Sequence, residues 1–341
     1  MPERLTDAWT LGPHTVPNRV LLAPLAGIGN WFVRLQARRH GAGMAVSEMV
    51  SSFAVHHRNE RTVTELLRIH PDERGDAAPG GRAPISIQLF GHDPGVMRSA
   101  AETVAQAGAD VIDLNMGCPV PKVCRTGAGA ALLDDPDRAV ALARAAAQGS
   151  GLPVTVKLRS GRRAGGTEGF DLARRLVADA GVAAIAFHPR SASVHHKGVP
   201  DYDLAARLVA QLGAPVILTG GLRSPEAVAA AYERTGATAV MLARGSLGDP
   251  WLFERVLGRR DHGPSEEEVL AELDWVIGRA IEHLGEPRAA RWMRKAYPWY
   301  VARLGLPRPE ARDVNDALQR SESTAAARSL VRRAAAPATV A

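Results

Sequence analysis

The sequence has only two cysteines and no long apolar run. Cys118 and Cys124 are too few thiols for the disulfide framework of a secreted domain, and their separation fits no common spacing of zinc ligands. No stretch approaches the roughly 18 consecutive apolar residues of a membrane-spanning helix, and the first residues lead into no apolar signal core. These absences predict a cytoplasmic protein with reduced thiols and no membrane segment.

The composition is that of a folded protein with excess positive charge. Hydrophobic residues make up 46% and charged residues 23% of 341 residues, enough for one large barrel with an appendage or for two ordinary domains. The net charge of +6 favours a polyanionic partner such as nucleic acid, although an arginine-rich composition can by itself produce the same value.

Short β-branched or apolar runs alternate with segments of helical character. Eight runs have strand character, at 19–25, 44–49, 85–90, 111–116, 154–159, 183–188, 216–219 and 239–243. Helices are predicted between most of them, at 31–40, 94–107, 136–148, 168–180, 203–212 and 225–235. Eight strand–helix units predict a (β/α)8 TIM barrel rather than an open sheet.

Two regions depart from this repeat. Residues 55–82 lack a clear helix, contain the loop-like run 74–81, and are predicted to be an elaborated loop. Beyond Gly258 the strand pattern stops, and three helices are predicted at 266–284, 289–304 and 314–333. The expected organisation is a barrel over 1–258 and an all-helical domain over 264–335, with frayed residues at the end of the sequence.

Polar residues or glycines follow every predicted strand, where a barrel of this kind builds its active face. The run Asp113 to Pro119 is the most informative, because it places Asn115 and Cys118 just past a strand. A thiol there can donate a proton to a planar substrate that the amide holds. The alternative is a small apolar cysteine that seals the strand end.

The last two strands lead into glycines, which allow backbone amides to approach an anion. Gly220 and Gly221 follow one strand, and Arg244 with Gly245 follows the next, as in barrels that bind phosphate. Lys157 lies inside an apolar strand and is expected to point into the mouth of the barrel. A phosphorylated cofactor fits this arrangement.

The histidine pairs and a glycine-rich run carry less information. His56-His57 and His195-His196 have no acidic or cysteine partner at ligand spacing, so no metal site is predicted. The second pair lies near Arg190 and Lys197, which favours contact with nucleic-acid phosphate or with substrate. The run 127–130 follows no strand directly and is interpreted as a turn.

Taken together, these residues resemble the tRNA-dihydrouridine synthase family over nearly the whole chain. The motifs that carry the resemblance lie at 23–27, 46–49, 88, 113–119, 157–159, 188–190, 198–202 and 243–251. In the helical tail, Arg294-Lys295 and Trp299-Tyr300 resemble the basic-aromatic motif of that family's RNA-binding domain.

The resemblance implies an FMN enzyme that uses NADPH to reduce a uridine in tRNA to 5,6-dihydrouridine. Cys118 is then the general acid that protonates carbon 5 of a uracil flipped into the barrel. The implied substrate contacts are Asn115, Arg190, Arg294 and Lys295. The implied cofactor contacts are Pro24, Leu25, Ala26, Gln88, Lys157, His188, Thr219, Gly220, Gly221, Ala243 and Arg244.

The sequence departs from the family pattern at three places. Thr219-Gly220-Gly221 stands where the family has Asn-Gly-Asp, and Ala243 stands where it has glycine. These differences predict that the flavin phosphate is bound more weakly or in a rearranged site. The run 124–127 is less basic than in the family. Two other functions stay open: a flavin-dependent dihydroorotate or dihydropyrimidine oxidoreductase that acts on a free base, and a tRNA-binding protein without catalysis.

Overall fold

The computed structural model describes residues 4–74 and 82–335. The chain begins with an antiparallel hairpin, β1 (Trp9–Leu11) and β2 (His14–Val16), which the sequence reasoning missed because each strand has only three residues. Trp9, Leu11 and Val16 are buried against the apolar interior of the sheet that follows. The hairpin therefore belongs to the core of the first unit.

The predicted (β/α)8 barrel is confirmed. One parallel sheet runs through every strand after the hairpin, and the pairing of β4 with β6 closes it into a ring of eight. β5 is a short extra strand that pairs with the carboxyl-terminal end of β6, beyond the residues that pair with β4. The strands are β3 (Val20–Leu22), β4 (Met44–Val46), β5 (Val50–Ser51), β6 (Ile85–Phe90), β7 (Val111–Met116), β8 (Val154–Arg159), β9 (Ala184–His188), β10 (Val216–Thr219) and β11 (Ala239–Leu242).

The helices of this unit begin where the sequence places caps. Asp93, Asp135, Asp201 and Ser224 each accept a backbone N–H three residues on, which satisfies a first-turn donor that has no partner in the helix. The helices are α1 (Trp31–Arg39), α2 (Ser52–His56), α3 (Pro94–Gln106), α4 (Pro121–Cys124), α5 (Pro136–Ser150), α6 (Glu168–Ala180), α7 (Tyr202–Gln211) and α8 (Pro225–Thr235).

The segment after β5 is more ordered than the predicted loop. After α2 it makes a π-helical turn at Thr62–Leu66 and a 3-10 turn at Pro71–Glu73. Glu73 forms a buried salt bridge of 2.7 Å with Arg34 of α1, which fastens this segment to the barrel. Residues 75–81 of the predicted loop lie outside the described residues.

The chain divides into two compact units at Ala243. The second unit contains α9 (Trp251–Val256), α10 (Glu266–Leu284), α11 (Glu286–Met293), α12 (Tyr297–Val301), α13 (Arg308–Arg320) and α14 (Thr324–Ala335). The division groups α9 with the helical unit. The domain boundaries predicted from the sequence, 1–258 for the barrel and 264–335 for the helical domain, stay a prediction.

The expectation of three tail helices is wrong, because the described residues beyond 263 form five. Pro298 cannot donate to the carbonyl of Arg294, which accepts the side chain of Gln319 at 2.8 Å instead, so the predicted helix 289–304 is interrupted. The predicted helix 314–333 is divided at Ser321, whose backbone is extended.

Candidate active site

The inward-facing residues of the barrel change from apolar to polar along its axis. Near the hairpin the interior consists of apolar side chains such as Leu21, Met44, Val111, Ala184 and Ile217. Because alternate residues of a strand share a face, the next inward positions lie nearer the carboxyl ends. Those positions carry Gln88 on β6, Asp113 and Asn115 on β7, Thr155, Lys157 and Arg159 on β8, and His188 on β9.

A buried polar network links three of these strands. Asp113 accepts the hydroxyl of Thr155 at 2.6 Å and the amide of Gln88 at 2.5 Å. Each pair is in register across the parallel sheet. Burial raises the pKa of Asp113 to about 6, although the hydrogen bonds from Thr155 and Gln88 and the charge of Lys157 act in the opposite direction.

Asn115 connects this network to the turn that carries the thiol. Its Nδ2 donates to Oε1 of Gln88 at 2.9 Å. Its Oδ1 accepts the backbone N–H of Cys118 at 2.9 Å and that of Gly117 at 3.2 Å. Both ends of the amide are therefore engaged within the protein, and Asn115 shapes the turn in addition to any contact with a substrate.

Cys118 is half-buried at the end of this turn, with a free thiol. Burial raises its pKa, and the charge of Cys124 acts in the same direction, whereas the cations Arg159 and Lys157 and a backbone hydrogen bond at Val120 lower it. The net upward shift keeps the thiol protonated at neutral pH, as a general acid requires. Cys124 is also a free thiol, and its Sγ donates to the carbonyl of Cys118 at 3.3 Å.

Lys157 is a cation without an internal partner in the mouth of the barrel. Its ammonium group makes no hydrogen bond or ion pair with any residue in 4–74 or 82–335, although Asp113 lies near enough to affect its charge. Burial and the charge of Arg159 lower its pKa to about 8. The ammonium stays mostly protonated at neutral pH and is available to an electron-rich ligand.

His188 lies at the carboxyl end of β9, in surroundings that favour the neutral imidazole. Burial lowers its pKa, as do the neighbouring cations Lys157, Arg159 and Arg190. Arg190 donates to Nε2 of His188 at 3.3 Å and to the carbonyl of Gly198 at 2.6 Å. Arg190, which the sequence predicts to contact the substrate, therefore also holds the loop after β9 to the end of that strand. A neutral imidazole here can accept or donate one hydrogen bond.

The loop after β10 requires glycine at two successive positions. Gly220 and Gly221 have φ values of +102° and +82°. A Cβ at Gly220 would lie 2.4 Å from the ring of His188, and one at Gly221 would lie 2.5 Å from the hydroxyl of Tyr202. The N–H groups of Gly221 and Leu222 have no hydrogen-bond partner among the described residues. Adjacent free amides of this kind suit a phosphate oxygen.

The other predicted contacts occupy more varied environments. Pro24 and Ala26 are accessible in the loop after β3, whereas the side chain of Leu25 is buried. Thr219 is buried, and its hydroxyl donates to the carbonyl of Met241 at 3.1 Å. Ala243 is half-buried at the end of the first unit.

Three predicted contacts belong to the second unit. Arg244 is exposed where that unit begins. Arg294 donates to the carbonyl of Ser321 at 3.1 Å, and Lys295 beside it is exposed. Tyr300, from the same basic-aromatic motif, is buried in the helical core, so it is not available to a ligand.

The sequence reasoning did not assign site roles to Asp113, Thr155 and Arg159. Strand alternation is the signal that could have found them, because each lies two residues from a residue that was chosen.

Among the described residues no group of three His, Cys, Asp or Glu side chains could hold a metal ion. No helix in the described part is long and apolar enough to cross a membrane. A groove of about 450 Å³ lies between α6 and α7, away from the strand ends.

Comparison with known proteins identifies the family. Residues 21–337 match the family described as "Dihydrouridine synthase (Dus)". The tRNA-dihydrouridine synthase B of Pseudomonas aeruginosa is 34% identical over 95% of this chain and 94% of its own length. That of Xanthomonas axonopodis pv. citri is 34% identical over 94% of each. The chain belongs to the dihydrouridine synthase family. The resemblance inferred from the motifs is confirmed, and the protein is an oxidoreductase.

Solved structures of other reductases share the fold. 2-Naphthoyl-CoA reductase aligns with a TM-score of 0.58 and 15% identity over 79% of this chain and 54% of that chain. Morphinone reductase in complex with tetrahydroNAD aligns with a TM-score of 0.53 and 16% identity over 78% of this chain and 94% of that chain. At this identity the similarity establishes the barrel alone.

Proposed function

We propose that this member of the dihydrouridine synthase family reduces uridine in tRNA to 5,6-dihydrouridine, with FMN as cofactor and NADPH as reductant. The observation that carries the proposal is the position of Cys118, a thiol with a raised pKa, on a braced turn at the mouth of a barrel that also holds Lys157, whose ammonium group has no partner among the described residues. The names of its relatives supply the substrate class.

The residues present fit a phosphorylated flavin. The free N–H groups of Gly221 and Leu222 can receive its phosphate, and Lys157 can donate to an electron-rich edge of its ring. Pro24 and Ala26 are accessible at the same face of the barrel. When bound, the flavin supplies a hydride for carbon 6 of the uracil.

The chain's own groups supply the rest of the chemistry. Cys118 donates its proton to carbon 5 of the uracil, and the positive charge of Lys157 stabilises negative charge that develops nearby. Asn115 holds the turn in place, and neutral His188 offers a hydrogen bond without adding a charge. The uracil reaches the thiol only after it leaves the stacked RNA.

Arg294 and Lys295 are proposed to contact tRNA from the helical unit, and Arg190 to contact the substrate from the barrel. The net charge of +6 supports a polyanionic substrate. A cytoplasmic location belongs to the same proposal, because that is where the tRNA substrate is found.

An absorbance experiment tests the proposal. The purified protein is examined for flavin absorbance, then mixed under anaerobic conditions with NADPH and afterwards with unmodified tRNA. We expect bleaching by NADPH, return of colour with tRNA, and dihydrouridine in the recovered RNA. Return of colour only with a free pyrimidine would favour the oxidoreductase that acts on a free base. A purified protein without flavin would favour the hypothesis of a tRNA-binding protein without catalysis.

A further inference from the structure

Arg159 occupies the last inward position of β8, where it contacts two separate backbone segments. Its Nε donates to the carbonyl of Gly117 at 3.0 Å, and its Nη1 donates to the carbonyls of Ser191 at 3.1 Å and His195 at 2.6 Å. The residue is only 4% exposed. One guanidinium thus joins the turn that carries Cys118 to the loop after β9.

Both segments have an unusual backbone feature at a residue that Arg159 contacts. A Cβ at Gly117 would lie 3.3 Å from the backbone nitrogen of Arg159 and 3.4 Å from its Cγ, so glycine allows the turn to approach closely. His195 has a φ of +51°, a left-handed conformation that non-glycine residues seldom adopt. Its carbonyl is the one that accepts from Arg159.

The loop after β9 also carries histidine and lysine side chains on the active face. His195, His196 and Lys197 are exposed, while Ser191 and Ala192 at the start of the loop are buried. Backbone hydrogen bonds from Ala192 to Gly161 and from Ser193 to Arg162 attach the loop to the segment after β8. Beyond Ser193, Arg159 donates to the carbonyl of His195 from the barrel interior, and the ring of His188 stacks with that of His196 at a centroid distance of 6.0 Å.

We propose that Arg159 is a positioning residue that fixes the Cys118 turn and the loop 191–197 relative to each other, so that the thiol and the loop address one substrate. This inference deepens the proposed function and rests on it. Arginine suits the task because its planar fork offers several donors in a fixed geometry, which the single ammonium of lysine cannot reproduce.

The electrostatic surroundings of the thiol supply an independent readout. Cys118 faces the cations Arg159 and Lys157 and the second thiol Cys124. Loss of the Arg159 charge should therefore raise the pKa of the Cys118 thiol. A lysine in its place should keep most of the positive charge but lose the several hydrogen bonds of the guanidinium group. The effect of the Arg159 charge on the thiol can therefore be separated from the effect of its hydrogen bonds to the two segments.

The test compares Arg159→Met, Arg159→Lys and the exposed control Arg163→Met. The rate of Cys118 alkylation by iodoacetamide is followed against pH, and tryptic peptides distinguish Cys118 from Cys124 because Lys122 lies between them. We expect slower alkylation in Arg159→Met by about three- to tenfold at a fixed pH below the thiol pKa. Arg159→Lys should stay close to the parent protein in this readout.

Brief trypsin treatment at Lys197 reports on the loop. Cleavage there should be faster in both Arg159 variants than in the parent and in Arg163→Met. With tRNA, both Arg159 variants should lose kcat by about tenfold or more, with little change in the rate of flavin reduction by NADPH.

Unchanged cleavage at Lys197 in both Arg159 variants would overturn the inference, as would an unchanged alkylation profile in Arg159→Met. If Arg159→Met does not fold, the cleavage and kcat of Arg159→Lys decide alone. The alkylation and proteolysis readouts need no tRNA. A parent protein that is inactive on tRNA would therefore defeat the proposed function while these two readouts still test Arg159.

Discussion

The Oδ1 atom of Asn115 accepts the backbone N–H of Cys118 at 2.9 Å. The same amide donates to Gln88, whose own amide donates to Asp113. The thiol turn is thus braced from the barrel interior by a chain of side chains on β6 and β7. The position of Cys118 depends on residues that the substrate does not need to touch.

Replacing Asn115 tests this brace. Asn115→Ala leaves the N–H groups of Gly117 and Cys118 without their acceptor, so we expect dihydrouridine formation to fall by about 10- to 100-fold. Asn115→Asp keeps the acceptor and should retain more activity. Flavin content and reduction by NADPH serve as controls, and equal activity in the two variants would contradict the bracing role.

Replacing the thiol tests the general acid. Cys118→Ala should keep flavin and its reduction by NADPH but form no dihydrouridine, because the group that donates the proton to carbon 5 is removed. Cys124→Ala is the matched control, since its Sγ only donates to the carbonyl of Cys118, and should keep most activity. Product formed by Cys118→Ala at the parental rate would show that another group supplies the proton.

The glycine loop after β10 should determine how tightly the flavin is held. Gly220→Ala places a methyl group 2.4 Å from His188 at a φ of +102°, so the loop must move. We expect the flavin-to-protein ratio after dialysis to fall several-fold. Gly213→Ala, where a Cβ meets nothing within 4 Å, should keep the parental ratio. Full flavin retention in Gly220→Ala would place the phosphate elsewhere.

Asp113 should make stability depend on pH. Its pKa is raised from 3.8 to about 6 by burial, so the folded state favours the neutral carboxyl group. The resulting stabilisation is complete below about pH 4 and is lost as pH rises through 6, by about 3 kcal/mol in total.

Urea unfolding of the parent and of Asp113→Asn between pH 4 and pH 7.5 measures this effect. The difference in unfolding free energy between the two proteins should decrease across that range. The exposed control Asp203→Asn should show no such decrease, because Arg234 lowers the pKa of Asp203 rather than raising it. A constant difference for Asp113→Asn would mean that its carboxyl group stays charged.

The helical unit should contribute salt-dependent RNA affinity. Lys295→Ala removes an exposed cation and should weaken tRNA binding and reduce the slope of log K against log salt by about one. Arg294→Ala also breaks the bond to the carbonyl of Ser321, so it should lower the melting temperature as well. Arg174→Ala on α6 is the exposed control, and an equal loss of affinity there would indicate a nonspecific charge effect.

Local pattern was sufficient for most of the barrel. Periodic apolar residues placed α6 and α8 at their observed bounds, and Pro225 marks the start of α8, because periodicity and capping are properties of neighbouring residues. The helical tail was predicted less well. Its interruption at Pro298 is stabilised by Gln319, which lies far along the chain from the carbonyl it caps.

The sequence by itself determined that a (β/α)8 barrel presents Cys118 at a strand end, since period and turn signals are local. Only the tertiary structure decided what surrounds that thiol. The register of neighbouring strands places Gln88 beside Asp113 and Lys157 beside Asn115, and the closed ring brings Arg159 against two loops. Hydrogen bonds and pKa shifts depend on distances between strands, and those distances are fixed only when the sheet closes.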